Sequence, residues 1–83
     1  MPTVATFDGI KIMFYNNEHP QPHFHAKFTE HQAVIDLETM TISQGFMPVA
    51  QKRKVLFWSV PRKAQLLRAF GLACNHDDLE LIA

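Results

Sequence analysis

The sequence predicts an α+β domain, in which an antiparallel sheet of three to four strands carries C-terminal helices packed on one face. The first half of the chain alternates apolar and polar residues in short stretches separated by turn residues, which is typical of β-hairpins. The second half places apolar residues at helical spacing around Pro48 and Pro61. Because 83 residues suffice for one domain, we expect a sheet half over about 1–44, a helical half over about 47–75 and a short tail over 76–83.

The first hairpin is the clearest local prediction. Residues 3–7 are β-branched and aromatic, and Asp8-Gly9 is a strong signal for a two-residue turn into a second strand at 10–15. A third strand is predicted at 23–28. Residues 40–46 are predicted to be a connection with a short extended piece at 41–43.

The fourth strand is predicted at 33–38, after a polar connection of four residues. A regular hairpin with that loop would set His25 opposite Asp36 and His23 opposite Glu38 on the polar face. A shift of two residues would keep the same faces. We therefore expect a histidine–carboxylate cluster on the polar side of the sheet.

Two helices are predicted in the second half. The first begins near Pro48, which suits a first helical turn, and ends near Ser59. Pro61 should break or kink it, and the second helix should run over 62–74. The first helix is apolar on two sides, so it should pack on the sheet and on a second surface, either the next helix or a partner protein. One stripe contains Val49, Leu56 and Val60, and the other contains Val55 and Trp58.

The histidine-rich stretch at residues 18–28 is the best candidate for chemistry. Pro20 and Pro22 make its entry stiff and extended, and alternation then puts His23 and His25 on one face. These two histidines are the candidate catalytic residues, as an acid and base pair. The alternative without chemistry is a pair of solvated strand histidines bonded to nearby carboxylates or carbonyls.

A metal site is a further possibility for the same stretch. His19, His23 and His25 are the candidate ligands, and a divalent metal such as zinc is the cofactor that they would suit. No cofactor is established by this pattern, since two or three histidines are not a complete site. Tyr15, which precedes the stretch, and Asp36 and Glu38 are the candidate supporting residues.

Charge is distributed unevenly along a chain whose net charge is zero. Residues 39–76 contain six basic residues and no acid, whereas the remainder has two lysines against eight acids. A basic helical half could bind nucleic acid or an acidic partner, or could simply be a solvated surface. The candidate binding residues are Lys52, Arg53, Lys54, Arg62, Lys63 and Arg68.

Several function classes are disfavoured. The sequence contains no phosphate-cradling glycine loop, no H-E-x-x-H and no C-x-x-C, and its one cysteine, Cys74, cannot form an internal disulfide. The first residues lack the basic and apolar regions of a signal peptide, and no apolar run is long enough to span a membrane. We therefore expect a cytoplasmic protein without a membrane partner.

The chain resembles the small bacterial family called domain of unknown function 4160. The specific part of the resemblance is His19-Pro20-Gln21-Pro22-His23-Phe24-His25-Ala26, supported by Met1-Pro2-Thr3, Gly9-Ile10-Lys11-Ile12-Met13-Phe14-Tyr15, Ala33-Val34-Ile35-Asp36-Leu37 and Met47-Pro48. Gln21 and Phe70 depart from the family pattern, the latter at a position where a second tryptophan is expected.

The resemblance implies a partner-binding protein rather than a known activity. Genes of this family often lie beside those of another small family, domain of unknown function 2442, in an arrangement like toxin–antitoxin pairs. We therefore expect a component of a toxin–antitoxin-like module that binds the small protein encoded by the neighbouring gene. The alternatives are a histidine-dependent, RNA-directed enzyme resembling a toxin ribonuclease, and a metal-binding module.

Overall fold

The chain folds into five strands followed by two helices. The structure is a computed structural model, and it describes residues 3–15, 21–75, 79, 81 and 82. The strands are β1 (Thr3–Phe7), β2 (Ile10–Met13), β3 (His23–Phe28), β4 (His31–Asp36) and β5 (Thr41–Gly45). The helices are α1 (Val49–Ser59) and α2 (Lys63–Cys74), joined by a 3₁₀ turn (Val60–Arg62).

The five strands form one antiparallel sheet in the order β1-β2-β3-β4-β5, so each strand pairs with its neighbour in the chain. The α+β class is confirmed, but the prediction of three to four strands was wrong. The additional strand is β5, which was predicted to be mainly a connection. Every residue of β5 except Ile42 is exposed, so it lacks the apolar alternation that would have identified it.

Two-residue turns close the first hairpin and the hairpin of β3 and β4. Asp8 and Gly9 both have positive φ, at 49° and 77°, as the Asp-Gly signal predicted. Between β3 and β4 the turn is Thr29-Glu30, and Thr29 has φ of 51°. The predicted four-residue loop was therefore too long. A threonine at positive φ is uncommon, and this turn contains no glycine that could have indicated it.

The shorter turn shifts the register of β3 and β4 by two residues. His23 pairs with Asp36 and His25 pairs with Val34, instead of the predicted pairings of His25 with Asp36 and of His23 with Glu38. Because the side-chain period of a strand is two residues, the shift keeps every side chain on its predicted face. The histidines and Asp36 thus still share the polar face of the sheet.

The apolar face of the sheet packs with both helices to form the core. The core includes Phe24 and Ile35 from the strands. It also includes Val55 from α1 and Leu66 from α2. All four are essentially inaccessible to solvent. Since the helices contribute few fully buried side chains, each of those side chains is a large part of the contact that holds helix to sheet.

The helices differ from the prediction in which residues they bury. Of the two stripes predicted for α1, Val55 is buried and Trp58 packs against the core, whereas Val49 and Val60 are mostly exposed. In α2, Leu66 is buried and Leu67 next to it is exposed. Pro61 lies in the 3₁₀ turn, where the predicted interruption occurs. Among the described residues, no helix has both the length and the apolar character needed to cross a membrane.

Part of the C-terminal tail lies along the free edge of β1. The backbone N–H of Ile82 donates to the carbonyl oxygen of Val4 at 2.7 Å, and Leu79 and Ile82 pack against the core. The edge at β1 is therefore partly covered by the chain itself, as an edge strand requires if it is not to pair with other chains.

Candidate functional site

A cavity of about 270 Å³ lies at the polar side of β3, β4 and β5. Its lining includes the side chains of Gln21, His23, His25, Asp36, Ser43 and Gln44. The sheet explains this grouping, because His25, Val34 and Gln44 pair in one row across three strands, and His23 pairs with Asp36 in the next row on the same face. A bulge in β5 brings Ser43 to the cavity together with Gln44.

His23 is held in one orientation by a backbone group. Its Nδ1 lies 2.6 Å from the carbonyl oxygen of Gln21 and donates to it, so Nε2 is the acceptor nitrogen when the ring is neutral. The ring is 9% exposed and lies 5.4 Å, centroid to centroid, from both Phe70 and His25. Its tautomer and direction are thereby set by the fold.

His25 lies beside His23 in an unusual environment for a polar ring. Both of its ring nitrogens are buried, and neither has a hydrogen-bond partner within the described part of the chain. Tyr15 packs edge-on against the imidazole with ring centroids 4.1 Å apart. Burial, and secondarily the charge of His23, lowers the pKa of His25 to about 4. His25 is therefore a neutral imidazole at physiological pH.

The carboxylate of Asp36 accepts hydrogen bonds from the turn that follows β4. Its Oδ1 accepts from the backbone N–H of Glu38 at 2.7 Å and of Thr39 at 3.1 Å, and its Oδ2 accepts from Nε2 of Gln21 at 3.1 Å. The bond from Thr39, followed by that from Glu38, lowers the pKa of Asp36. Glu38, a predicted supporting residue, takes part through its backbone and has an exposed side chain.

The predicted metal ligands are only partly described. His23 and His25 lie together, but His19 lies outside the described residues. Over residues 3–15 and 21–75, no group of three or more histidine, cysteine or acidic side chains is placed to hold a metal ion. The described donors thus amount to two imidazoles, fewer than the three or four protein ligands of a zinc site.

A second concave surface lies on the helical side of the molecule. This groove, of about 500 Å³, is lined by Phe7, Asp8, Arg53, Lys54, Phe57, Trp58 and Arg62, and we call it the aromatic–basic groove. Phe57 is the most exposed of its three aromatic members, with 85% of the residue accessible. Lys54 pairs with Asp8 at 3.5 Å, an exposed ion pair that contributes little stability.

Trp58 is fixed in the floor of the groove by contacts on its ring. Phe7 stacks on it with centroids 5.2 Å apart and an interplanar angle of 29°. The guanidinium of Arg62 lies 5.1 Å from the Trp58 ring centroid and donates from Nη1 to the Trp58 carbonyl oxygen at 2.7 Å. This packing orders both the tryptophan and the arginine.

The six predicted basic residues do not gather at the histidines. Arg53, Lys54 and Arg62 line the groove. Lys52 borders a small apolar pocket near Val55, Lys63 begins α2 and is partly buried, and Arg68 is exposed further along α2. None of the six is among the described residues that line the histidine cavity.

Sequence reasoning missed part of both surfaces. Ser43 and Gln44 were missed because β5 carries no recognisable strand pattern. Phe57 belongs to neither of the two apolar stripes predicted for α1, yet it is the exposed aromatic of the groove, whereas Val55 of the second stripe is buried. The signal that could have identified Phe57 was its spacing of four and three residues from Arg53 and Lys54, which puts it on their solvated face of a helix.

Comparison with known proteins identified one family. A family model described as "Domain of unknown function (DUF4160)" matches residues 9–70, which include β2 to β5, α1 and most of α2. Neither the curated proteins nor the solved structures contain a match.

Proposed function

This chain belongs to the DUF4160 family, whose description names no activity, and we propose from its geometry that it is a partner-binding module. The aromatic–basic groove would take an acidic segment of another protein that inserts a large apolar side chain beside Phe57. The observation that carries the proposal is the exposure of Phe57, 85% accessible at the rim of an ordered groove with three basic side chains.

The residue types that line this groove are typical of protein interfaces. Phenylalanine, tryptophan and arginine are all enriched in interfaces, and the few residues that dominate binding energy lie in pockets from which water is excluded. Phe57 provides the aromatic, and Arg53 and Arg62 provide guanidinium groups. Because Trp58 is already stacked and Arg62 already placed, binding would cost less side-chain entropy than at a mobile surface.

The charge of the groove favours an acidic partner. Three of its lining residues are basic and one is acidic, and residues 39–76 as a whole carry six basic side chains without an acid. Opposite charge on the partner would raise the rate of association and fix its orientation. Single-stranded RNA is also acidic, but it binds most strongly where open aromatic faces can stack bases. Phe57 offers one exposed ring, but the Trp58 ring has Phe7 stacked on it and the Arg62 guanidinium over it. The described lining residues thus provide one apolar anchor and no series of open rings for successive bases, so a protein segment fits this groove better.

The partner to test first is the one that the family resemblance implies. By that resemblance the partner would be a small protein that is encoded by the neighbouring gene and is similar to domain of unknown function 2442. We propose that the two chains form a toxin–antitoxin-like module in the bacterial cytoplasm. The alternative of a histidine-dependent ribonuclease has less support, because no lysine or arginine is among the described residues lining the histidine cavity.

Coexpression with the neighbouring protein tests the proposal. Wild type should elute with it from a sizing column as one complex, and Phe57→Ala should elute alone while His23→Ala/His25→Ala keeps the complex. Bacterial growth is also measured after induction of the wild type, or of either variant, without the neighbouring protein. This distinguishes the ribonuclease alternative from partner binding. Growth arrest that requires the histidines and is relieved by the neighbour would favour that enzyme, and the absence of any complex would contradict partner binding.

A further inference from the structure

The histidine cavity offers a distinctive set of polar groups. Two imidazoles, two carboxamides, one hydroxyl and one carboxylate face about 270 Å³ of space. Among the described residues that line it, none is a lysine or an arginine. Small-molecule sites combine concave space with a few convergent hydrogen-bonding groups; this cavity is more polar than most of them, and its volume lies just below their usual range of about 300 to 1,000 Å³.

The state of His25 indicates that the cavity has a role beyond packing. Its ring nitrogens are buried and lack partners within the described part of the chain. Buried polar groups of this kind are rare in native proteins, because each unsatisfied group lowers stability, and those that persist call for an ion, a water or a ligand. His25 lines the adjoining cavity, but protein atoms cover both nitrogens, so a ligand there would supply the missing hydrogen bond after a small rotation of the ring.

The electrostatics of the cavity argue against an anionic ligand. The carboxylate of Asp36 stays ionised, since three N–H groups donate to it. His25 resists protonation because it is buried, so it does not offset that negative charge at neutral pH. Phosphate or a nucleic-acid backbone would enter a cavity that has a fixed negative charge and, among its described residues, no lysine or arginine to balance it.

The donor set also disfavours a metal ion as the resident ligand. The carboxylate oxygens of Asp36 already accept from Glu38, Thr39 and Gln21. The described part of the chain then provides two imidazoles, and it contains no group of three ligands. An organic ligand that both donates and accepts hydrogen bonds makes better use of imidazoles and carboxamides.

We propose that this cavity binds a small uncharged heterocycle with adjacent donors and acceptors, of the nucleobase type. Histidine rings provide flat surfaces for such a ring, and glutamine carboxamides can pair with its edge in two-point fashion. Gln44 lies in the same cross-strand row as His25, so one ligand can contact both. The site lies apart from the aromatic–basic groove, with which it has no described lining residue in common.

Titration with free nucleosides tests the proposal. Adenosine, guanosine, cytidine and uridine are added separately to the full chain while the imidazole C–H resonances are followed by NMR, with inorganic phosphate and zinc in parallel. At least one nucleoside should shift the His23 and His25 resonances in a saturable way. Gln44→Ala should weaken that binding about tenfold, as expected when one hydrogen bond to a ligand is lost. Gln44 is exposed, so this variant should still fold.

Two further variants make the result specific. His25→Phe should abolish the shift at His23, and its melting curve shows whether it remains folded. Phe57→Ala, which alters only the groove, should bind the nucleoside like wild type whether or not it has lost its protein partner. The proposal is overturned if no nucleoside shifts the two histidines, if Gln44→Ala binds unchanged, or if phosphate or zinc alone gives the saturable shift.

Discussion

The imidazole of His25 packs edge-on against the ring of Tyr15, with the two centroids 4.1 Å apart and the planes inclined by 64°. This contact joins β3 to the residue that follows β2 by two positions. It also covers a histidine whose ring nitrogens have no described partner. Tyr15 is itself fixed, since its hydroxyl oxygen accepts from Nε2 of Gln32 at 3.1 Å. The neutral state of His25 therefore depends on a neighbouring ring.

Removing the Tyr15 ring should expose His25 and raise its pKa. In Tyr15→Ala, water can reach the imidazole, so we expect its pKa to move from about 4 toward the ordinary value of 6.5. Tyr15→Phe is the matched control, because it keeps the ring contact and removes only the hydroxyl. NMR titration of the His25 resonances measures both. Equal pKa values in the two variants would show that the ring does not shield His25.

The lowered pKa of His25 should make stability depend on pH between 6.5 and 4. In that interval the unfolded chain binds a proton at His25 that the folded chain does not, so the free energy of unfolding should fall as pH decreases. Above 6.5 this contribution is constant. Allowing for solvent screening, we expect the loss to be about 1 to 2 kcal/mol.

Urea unfolding of wild type and His25→Phe at pH 7, 5.5 and 4.5 isolates this effect. The variant lacks the titrating ring, so its stability should decline less over the interval. Asp36, whose folded pKa is also lowered, destabilises both proteins equally as pH falls further. Parallel curves for the two proteins would contradict the assignment of a neutral, buried His25.

Two glycine substitutions should change stability in opposite directions. Gly45 has φ of 82°, and an added Cβ would collide with the carbonyl oxygen of Gln32 and lie 3.0 Å from Cα of Ala33. Gly45→Ala should therefore destabilise the fold by about 2 kcal/mol or more. Gly71 lies in α2 with open space around a Cβ, so Gly71→Ala should stabilise by about 0.5 to 1 kcal/mol. Thermal unfolding of both variants measures these changes. An unchanged melting temperature of Gly45→Ala would contradict the described path of β5.

Local sequence patterns predicted the strands and helices better than they predicted the register and packing between them. The Asp8-Gly9 turn and the shared face of His23 and His25 follow from rules that involve only neighbouring residues. The register of β3 and β4 depends on Thr29 adopting a positive φ, which tertiary pairing imposes against its ordinary preference. The sequence therefore indicated the face of the cluster correctly and assigned its cross-strand partners wrongly.

The remaining errors of the sequence prediction concern which residues are exposed, which the order of apolar and polar residues along the chain does not determine. β5 is held by pairing with β4 rather than by burial of its own side chains, so its sequence carries little strand signal. On α1, Val55 and Phe57 are both apolar, yet one is 2% and the other 85% exposed. Only the packing of α1 against the sheet decides which of the two belongs to the core.

Phe57→Ala tests the central claim most directly, by calorimetric titration with the neighbouring protein. Because Phe57 is almost fully exposed, the free energy of unfolding should change by less than about 0.5 kcal/mol. Binding should weaken by about thirtyfold or more, the effect of truncating an interface anchor. Val49→Ala, which removes another exposed apolar side chain of α1 outside the groove, should bind like wild type. Equal affinities of Phe57→Ala and wild type, or binding of a single-stranded RNA that requires Phe57 in place of the protein, would contradict the account.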